Sequence, residues 1–402
     1  MEDENEDEYE VEIFYHNIVT LRKQRLTWAD IARHLDVSIN TLAYFRKKYA
    51  IGDVFVTIGD DDLWQLILTY QNQDTRWGES MLMGALRSRY YDDGSMLYVP
   101  RSQLRRVLDI YDKEGRDERR RKAVYRVTYK SLGVNHAWHL DGWHKLIHYK
   151  IVIHGCIDGF SRKIIFLKAS TNNRATTVFS SFFQVVRETN EFPALISTDA
   201  GGENVLVADY MILHLGSDSI KVVSSVHNQR QERLWRDVAE KATMDYINLF
   251  MDLRNEEILN INDLDQLWLI HFLFLDLIND SLQRFILAWD NHSLRTEENN
   301  LSPNQIQFFA RSSGDIFTIP ENVDVNFTDT LLDDFDEFDD NNDIPLVQVS
   351  DIPLPFSHDT YLIFQADVNR ITIEDMRPGN IEIVKDKWID AFVLLRHLQS
   401  VD

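Results

Sequence analysis

The chain has 402 residues, of which 44% are hydrophobic, and a formal net charge of −23. Its length allows two to four domains, and its apolar content excludes a wholly disordered protein. The single cysteine, Cys156, excludes an intrachain disulfide framework and fits a reducing compartment. The most apolar run, residues 267–278, is too short to span a bilayer.

The negative charge argues against DNA binding, because phosphate contacts require Lys and Arg. The acids are, however, concentrated in two segments. Residues 1–12 hold eight acids and no base, residues 321–345 hold ten acids and no base, and the rest of the chain therefore carries only −5. We predict an acidic tail and an acidic linker there. Each is either a solvated segment or an interaction tail that mimics DNA.

Residues 13–60 are predicted to form a helix-turn-helix. Thr27 can cap its first helix, Ser38 can cap its second, and Asp36 tolerates the left-handed turn between them. The second helix would enter the major groove. Its candidate DNA contacts are Asn40, Thr41, Tyr44, Arg46, Lys47 and Lys48. The alternative is an ordinary helical hairpin with a basic exposed face.

Residues 61–112 are predicted to form a second helical DNA-binding unit, which ends in a basic helix carrying Arg101, Arg105 and Arg106. Residues 113–130 are strongly basic and lack an apolar face, which predicts a linker that can follow a DNA backbone. Four consecutive bases stand in this linker: Arg119, Arg120, Arg121 and Lys122. This run also serves as a candidate nuclear import signal, so we expect a nuclear protein.

Residues 131–312 alternate between strand and helix patterns. Apolar runs bounded by turn residues predict strands, and apolar residues at helical spacing predict helices. The predicted order is β, β, β, α, β, α, β, α, over residues 136–141, 150–158, 162–169, 174–187, 194–197, 203–215 and 220–223, and a long helix from near residue 229. A helical extension over residues 264–289 is expected to pack on the sheet.

Three acids belong to these elements: Asp141 on the first strand, Asp199 after the fourth and Glu232 on the last helix. Taken singly, each is best interpreted as a cap or a solvated turn residue. Taken together, they predict a carboxylate cluster assembled from distant parts of the sequence. Carboxylates held together repel one another unless a cation neutralises them, and hard oxygen ligands suit Mg²⁺ or Mn²⁺.

The order of elements and acids resembles the ribonuclease H-like core of Asp-Asp-Glu integrases and transposases, most closely that of eukaryotic integrase-core-domain proteins. Four segments carry the resemblance: WHLD, CIDGFSR, STDAGGEN and HNQRQERLW. The segment WDNHSLRTEENNLSPNQI resembles the tail of these cores, and residues 61–112 resemble the second helix-turn-helix that precedes many transposase cores.

The resemblance implies an α/β fold: a ribonuclease H-like mixed five-stranded sheet with flanking helices, preceded by all-α helix-turn-helix units. It also implies a homo-oligomer that cleaves and transfers strands of double-stranded DNA at a two-metal site. Asp141 would bridge both metal ions, while Asp199 and Glu232 would each hold one. Supporting or phosphate-binding roles are expected for His139, Asn228 and Arg233. Two alternatives remain: a catalytically idle DNA-binding or scaffold protein, and a plain nuclease that uses water as its nucleophile.

Residues 346–402 are predicted to form a small α+β domain of unassigned function. We expect strands over residues 361–366 and 381–384, followed by a helix through Trp388 and Leu395.

Overall fold

A computed structural model gives the fold of this chain. The residues that it describes are 14–52, 55–73, 77–92, 94–112, 131–222, 229–294, 300–318, 349–368 and 381–401. The predicted acidic tail, basic linker and acidic linker lie outside these ranges. So do Arg119, Arg120, Arg121, Lys122 and Asn228 among the candidate site residues.

The N-terminal helices have the capping that the sequence predicts. Residues 14–23 are helical (α1), and α2 (Trp28–His34) and α3 (Ile39–Lys48) follow. The Thr27 hydroxyl accepts the N–H of Asp30, and the Ser38 hydroxyl accepts that of Thr41. Asp36 has a φ of 52°, in the left-handed region. The predicted cap residues and turn residue are therefore confirmed.

The second helical unit contains a small parallel strand pair that the sequence did not predict. Its elements in chain order are β1 (Phe55–Val56), α4 (Asp60–Gln73), α5 (Glu79–Arg87), β2 (Met96–Leu97) and α6 (Arg101–Tyr111). Strands β1 and β2 pair through Phe55 with Met96 and Val56 with Leu97.

The centre of the molecule is a mixed five-stranded sheet. Its strands are β3 (Ala137–Trp143), β4 (Val152–Asp158), β5 (Ile164–Ser170), β6 (Leu195–Thr198) and β7 (Ile220–Val222). Their spatial order is β5-β4-β3-β6-β7. Strand β4 is antiparallel to β3 and β5, whereas β3, β6 and β7 are parallel. The predicted ribonuclease H-like sheet is confirmed.

Helices cover both faces of this sheet. The core-region helices are α7 (Ala175–Thr189), α8 (Val205–Leu215), α9 (Gln229–Val238), α10 (Met244–Asn255), α11 (Leu264–Asn291) and α12 (Pro303–Ser313). A π-helical segment, Ala239–Thr243, joins α9 to α10. One hydrophobic cluster joins Trp138 and Leu140 of β3 to α7 and α8, and another joins the opposite face to α9, α10 and α11. Within the described ranges, no helix is long and apolar enough to cross a membrane.

Helix α11 packs closely against α5 of the second helical unit. A Cβ atom added at Gly84 would lie 2.0 Å from the main-chain oxygen of Ala288, so only glycine fits at this crossing. The small residue allows two helix backbones to approach and buries the α5 side chains Leu82 and Leu86. Such dense packing leaves little room for an added methyl group.

The predicted α+β character of the C-terminal part is wrong for its described residues. Residues 361–366 lie within α13 (His358–Val368) and residues 381–384 begin α14 (Ile381–Gln399). The apolar alternation at Ile381 and Ile383 is strand-like, but both side chains are exposed. The buried residues of α14 are instead Val384, Trp388, Ala391 and Leu395, a helical spacing that buries one face against the cluster containing α11.

Candidate active site

Asp141 lies on the face of the sheet that carries α9. Side chains alternate along a strand, and Trp138 and Leu140 point into the cluster with α7 and α8. The intervening odd-numbered positions therefore face the other way. The Trp235 indole N–H of α9 donates to Asp141 Oδ2 at 2.9 Å, and the Gly142 N–H donates to Oδ1 at 2.9 Å.

Asp199 follows β6 at a position aligned with Asp141. Strands β3 and β6 are parallel, and their register pairs His139 with Ser197. Two residues further along each strand, Asp141 and Asp199 reach the same edge on the same face. Asp199 Oδ1 accepts the N–H of Gly201 at 3.1 Å and the side-chain N–H of Asn204 at 3.2 Å. The predicted pair of aspartates is thus brought together by the register of the sheet.

The electrostatics of Asp141 show that it stands among like charges. Burial raises the pKa of Asp141 to about 6, the hydrogen bond from Trp235 opposes this shift, and the charges of Asp199 and Glu203 add to it. The carboxyl group is therefore held where its ionised form is costly in the absence of a cation.

Glu203 is a further acid beside these two aspartates, and the sequence did not predict its place there. It lies in a short 3-10 segment, Gly202–Asn204, and is 5% exposed. Burial raises the pKa of Glu203, and the charge of Asp199 raises it further, while a hydrogen bond from Asn173 opposes the shift. The sequence places this acid in the GGEN segment, four residues after Asp199. An acid at a helix start is usually a solvated cap, so the sequence alone did not mark it as buried.

Glu232 occupies a different environment from the two aspartates. It lies on α9, and its side chain is exposed, whereas Gln231, Leu234 and Trp235 are buried against the sheet. Within the ranges that the structure describes, no three His, Cys, Asp or Glu side chains are grouped so that they could hold a metal ion. The structure brings together two of the three predicted acids, and the third stands three residues before the tryptophan that contacts Asp141.

Gly155 on β4 permits the close approach of α9. It pairs with Asp141 across the sheet, and a Cβ atom added there would lie 2.6 Å from the Trp235 ring. Gln231, which is fully buried, donates its side-chain N–H to the Gly155 main-chain oxygen at 3.0 Å. These contacts fix the rotation of α9 about its axis and hence the side on which Glu232 projects.

The donor chemistry at this edge fits a divalent cation in part. Asp141 and Asp199 supply hard oxygen atoms. Each oxygen of Asp141 keeps a lone pair beyond the hydrogen bond that it accepts, whereas both hydrogen bonds to Asp199 go to Oδ1. The like charges around Asp141 are the arrangement that a cation would stabilise. A third ligand would come from Glu232 or from Glu203.

The other predicted residues near the acids lie in contrasting places. His139 is 5% exposed and stands two residues before Asp141 on the same face of β3. Arg233 is exposed on α9. The CIDGFSR segment has a structural role, because Asp158 is buried and accepts both the N–H and the hydroxyl of Ser161 at 2.6 Å and the N–H of Asn135 at 2.9 Å.

The candidate DNA contacts on α3 are mostly exposed. Asn40, Thr41, Tyr44, Lys47 and Lys48 face solvent. Arg46 differs, because it is half-buried and its guanidinium lies 3.5 Å from the centre of the Trp28 ring. Arg46 therefore packs α3 against α2.

The candidate arginines of α6 are paired with acids of their own helical unit. Arg101 and Arg105 contact Glu79 at 3.2 and 3.0 Å. Arg106 makes two hydrogen bonds to Asp60, each of 2.8 Å. DNA phosphates would have to compete with these carboxylates.

The sheet order and the acids at its edge define a ribonuclease H-like core. Residues 124–314 match the family model described as "Integrase core domain". This region of the chain is therefore similar to integrase core domains. A comparison with curated proteins finds no match.

Solved structures similar to this chain include retroviral integrases. The HTLV-2 integrase catalytic core domain in complex with magnesium (dimeric form) is 17% identical, covering 44% of this chain and 99% of that chain with a TM-score of 0.27. A chain of the simian T-cell lymphotropic virus intasome in complex with PP2A regulatory subunit B56 gamma is 14% identical, covering 66% of this chain and 78% of that chain with a TM-score of 0.35.

Proposed function

We propose that this protein cleaves and transfers DNA strands in a metal-dependent reaction at Asp141, Asp199 and Glu232. The observation that supports the proposal best is the alignment of Asp141 with Asp199 on one face and edge of an integrase core sheet. The charge of Asp199 acts on Asp141, as expected of two ligands of one cation site.

In this proposal the chain's own residues hold the reacting groups in position. Mg²⁺ or Mn²⁺, when bound, activates the attacking oxygen and stabilises the leaving oxygen at phosphorus. The Trp235 indole and the Gly142 N–H fix the Asp141 carboxylate, and Gly201 and Asn204 fix that of Asp199. His139, Asn228 and Arg233 are proposed to support the ligands or contact DNA phosphates.

Glu232 is the proposed third ligand because of its place on α9. Residues three apart are neighbours on a helix surface, so Glu232 stands one turn from Trp235, whose indole bonds Asp141. Its exposed side chain is free to change rotamer when a cation and DNA bind. Glu203, already buried beside Asp199, is the competing third ligand.

We further propose that α3 delivers double-stranded DNA to this site in a nuclear homo-oligomer. The exposed polar residues of α3 and the exposed Lys47 and Lys48 in its last turn support a role in DNA binding. The basic run of residues 119–122 supports nuclear import.

A second candidate function, an idle DNA-binding or scaffold protein, has one specific observation in its favour. Glu232 is exposed, and the described side chains contain no group of three ligands. In that case α3 would bind DNA while the acids at the sheet edge would serve no reaction.

Cleavage of supercoiled plasmid DNA separates the two functions. We expect the wild-type protein to nick plasmid in Mn²⁺ or Mg²⁺ and to lose this activity in EDTA. Asp141→Asn, Asp199→Asn and Glu232→Gln should reduce nicking by about 100-fold or more, since each removes a charged ligand worth several kcal/mol in the transition state. Exposed Asp218→Asn is the matched control. Equal nicking by all variants, or none by the wild type, would favour the idle protein.

A further inference from the structure

A cavity of about 350 Å³ lies where the helix-turn-helix, the second helical unit and the integrase core meet. Its walls come from the turn after α1, the end of α5, the turn before β5, and helices α11 and α12. This volume is at the lower end of the range found for small-molecule sites. No part of the proposed strand transfer uses it.

The cavity is lined by basic residues. Among the described residues around it none is Asp or Glu, and five are basic: Lys23, Arg25, Arg87, Lys163 and Arg311. Arg311 forms an ion pair with Glu191, and the positive charge of Lys163 acts on buried Asp290. The charges of Arg25 and Arg87 have no such compensation in the described part of the chain.

Arg25 and Arg87 are hydrogen-bonded neighbours that carry like charges. The Arg25 guanidinium donates to the main-chain oxygen of Arg87 at 2.6 and 3.2 Å, and Arg87 donates to the Ser293 hydroxyl at 2.9 Å. Burial lowers the pKa of Arg25 to about 10, and the charge of Arg87 lowers it further. Among the described residues, the groups that shift the pKa of Arg25 or Arg87 include no carboxylate. An anion in the cavity would relieve this repulsion.

This arrangement is unusual for a chain with a net charge of −23. Other arginines are matched to acids, as Arg105 is to Glu79 and Arg106 to Asp60. The N-terminus of α12, including its cap residue Ser302, adds a further favourable field for an anion at the same wall.

We propose that this cavity binds the phosphoryl groups of a compact polyphosphate anion, with Lys23, Arg25 and Arg87 as its main contacts. Arginine suits phosphate because its planar guanidinium presents paired donors, and such charge-assisted hydrogen bonds are about twice as strong as neutral ones. Three cations around a cavity of about 350 Å³ can neutralise more charge than one phosphoryl group carries, which favours an anion with several. The bound anion would tie the helix-turn-helix to the integrase core. The proposal does not depend on metal-dependent strand transfer.

The test uses the full chain and tripolyphosphate, with binding measured by calorimetry and by the change in melting temperature at constant ionic strength. We expect saturable binding and thermal stabilisation, with sulfate much weaker. Arg25→Gln with Arg87→Gln should weaken tripolyphosphate binding by at least roughly tenfold, because it removes two charge-assisted contacts. Lys23→Gln, at an exposed position that leaves packing unchanged, should weaken it a few-fold. The matched double variant is Arg33→Gln with Arg187→Gln, two exposed positions away from the cavity.

Absent tripolyphosphate binding, or equal binding by cavity and control variants, overturns the proposal. Loss of tripolyphosphate binding in the cavity variants but not in the control supports it. If the double arginine variant fails to fold, the binding of Lys23→Gln gives the answer. A DNA-binding assay in saturating tripolyphosphate then identifies the source of the phosphoryl groups. Competition points to phosphates of the DNA backbone, whereas unchanged or stronger DNA binding points to a free anion.

Discussion

Asp141 combines two opposing influences on one carboxylate. Burial and the charges of Asp199 and Glu203 favour its protonated form, while the Trp235 and Gly142 hydrogen bonds favour the ionised form. The net effect raises its folded-state pKa from 3.8 to about 6. A raised carboxyl pKa means that the folded state binds the proton more tightly than the unfolded state, so stability is lost as pH rises through this interval.

We therefore predict that Asp141→Asn gains stability relative to the wild type as pH rises from about 4 to about 6, by up to about 3 kcal/mol, and that the difference is constant above this range. Denaturant unfolding in metal-free buffer at several pH values measures it. Asn cannot accept both of the hydrogen bonds that Asp141 accepts, so the substitution also changes stability by an amount that does not depend on pH. The pH dependence of the difference in stability is therefore the informative quantity. A difference that does not change with pH would contradict this account.

At this scale the sequence identified the acids but not their surroundings. Asp141 and Asp199 could be predicted because each stands at or near the end of a strand pattern, in the segments WHLD and STDAGGEN. Glu203 could not, because its burial depends on the fold-back of the GGEN segment beside Asp199. The direction of Glu232 was also beyond the sequence, since Gly155 and Trp235 set the rotation of α9 through contacts between distant segments.

At the scale of elements, α3 combines proposed DNA contacts with internal packing. Lys47→Ala should weaken duplex DNA binding and reduce the slope of log affinity against log salt by about 0.9, because one phosphate contact is lost, without changing the melting temperature. Arg46→Ala should instead lower stability by about 0.5 to 2 kcal/mol through the loss of its stacking on Trp28. Exposed Arg33→Ala on α2 is the control. An unchanged salt slope for Lys47→Ala would contradict the proposal that α3 contacts DNA.

The crossing of α5 and α11 gives a second prediction for an element. Gly84→Ala should destabilise the protein by about 1 to 3 kcal/mol, because the added methyl group overlaps the main chain of α11 and can be accommodated only if the helices separate. This cost opposes the gain of about 1 kcal/mol in helix propensity. Thermal or denaturant unfolding measures the result. Gly52→Ala, whose added Cβ meets nothing within 4 Å, is the control. A stabilised Gly84→Ala protein would show that the crossing is looser than described.

Sequence patterns predicted the sheet better than the C-terminal helices. The strands of the core are runs of apolar residues between turns. The spacing of the apolar residues and the length of each run therefore both indicated a strand. In α14, exposed Ile381 and Ile383 imitate a strand, and the helical spacing of Val384, Trp388 and Ala391 was the better guide. The pair β1–β2 escaped prediction because each strand is two residues long and gains its partner only on folding.

At the scale of the whole molecule, α11 connects most of the structure. One hydrophobic cluster contains residues of α11, the second helical unit, one sheet face and the C-terminal helices. The N-terminal helices α1 to α3 pack instead on α12 through Phe308 and Phe309. The acidic surplus in residues 1–12 and 321–345 leaves the rest of the chain with a charge of −5, so the overall charge does not forbid DNA binding.

The third ligand of the proposed site can be assigned by comparing two variants. Glu232→Gln should abolish stabilisation by Mn²⁺, whereas Glu203→Gln should leave a large part of it. The reverse result would make buried Glu203 the ligand and would leave Glu232 without a role at the metal.

The most direct test of the central claim is the change in melting temperature caused by Mn²⁺ in five proteins. A cation that binds only the folded state at ten times its dissociation constant stabilises it by about 1.4 kcal/mol. The wild type and Asp218→Asn should show this gain, and Asp141→Asn, Asp199→Asn and Glu232→Gln should show little of it. If all five respond alike, the three acids do not form a metal site, and the idle DNA-binding protein becomes the better account.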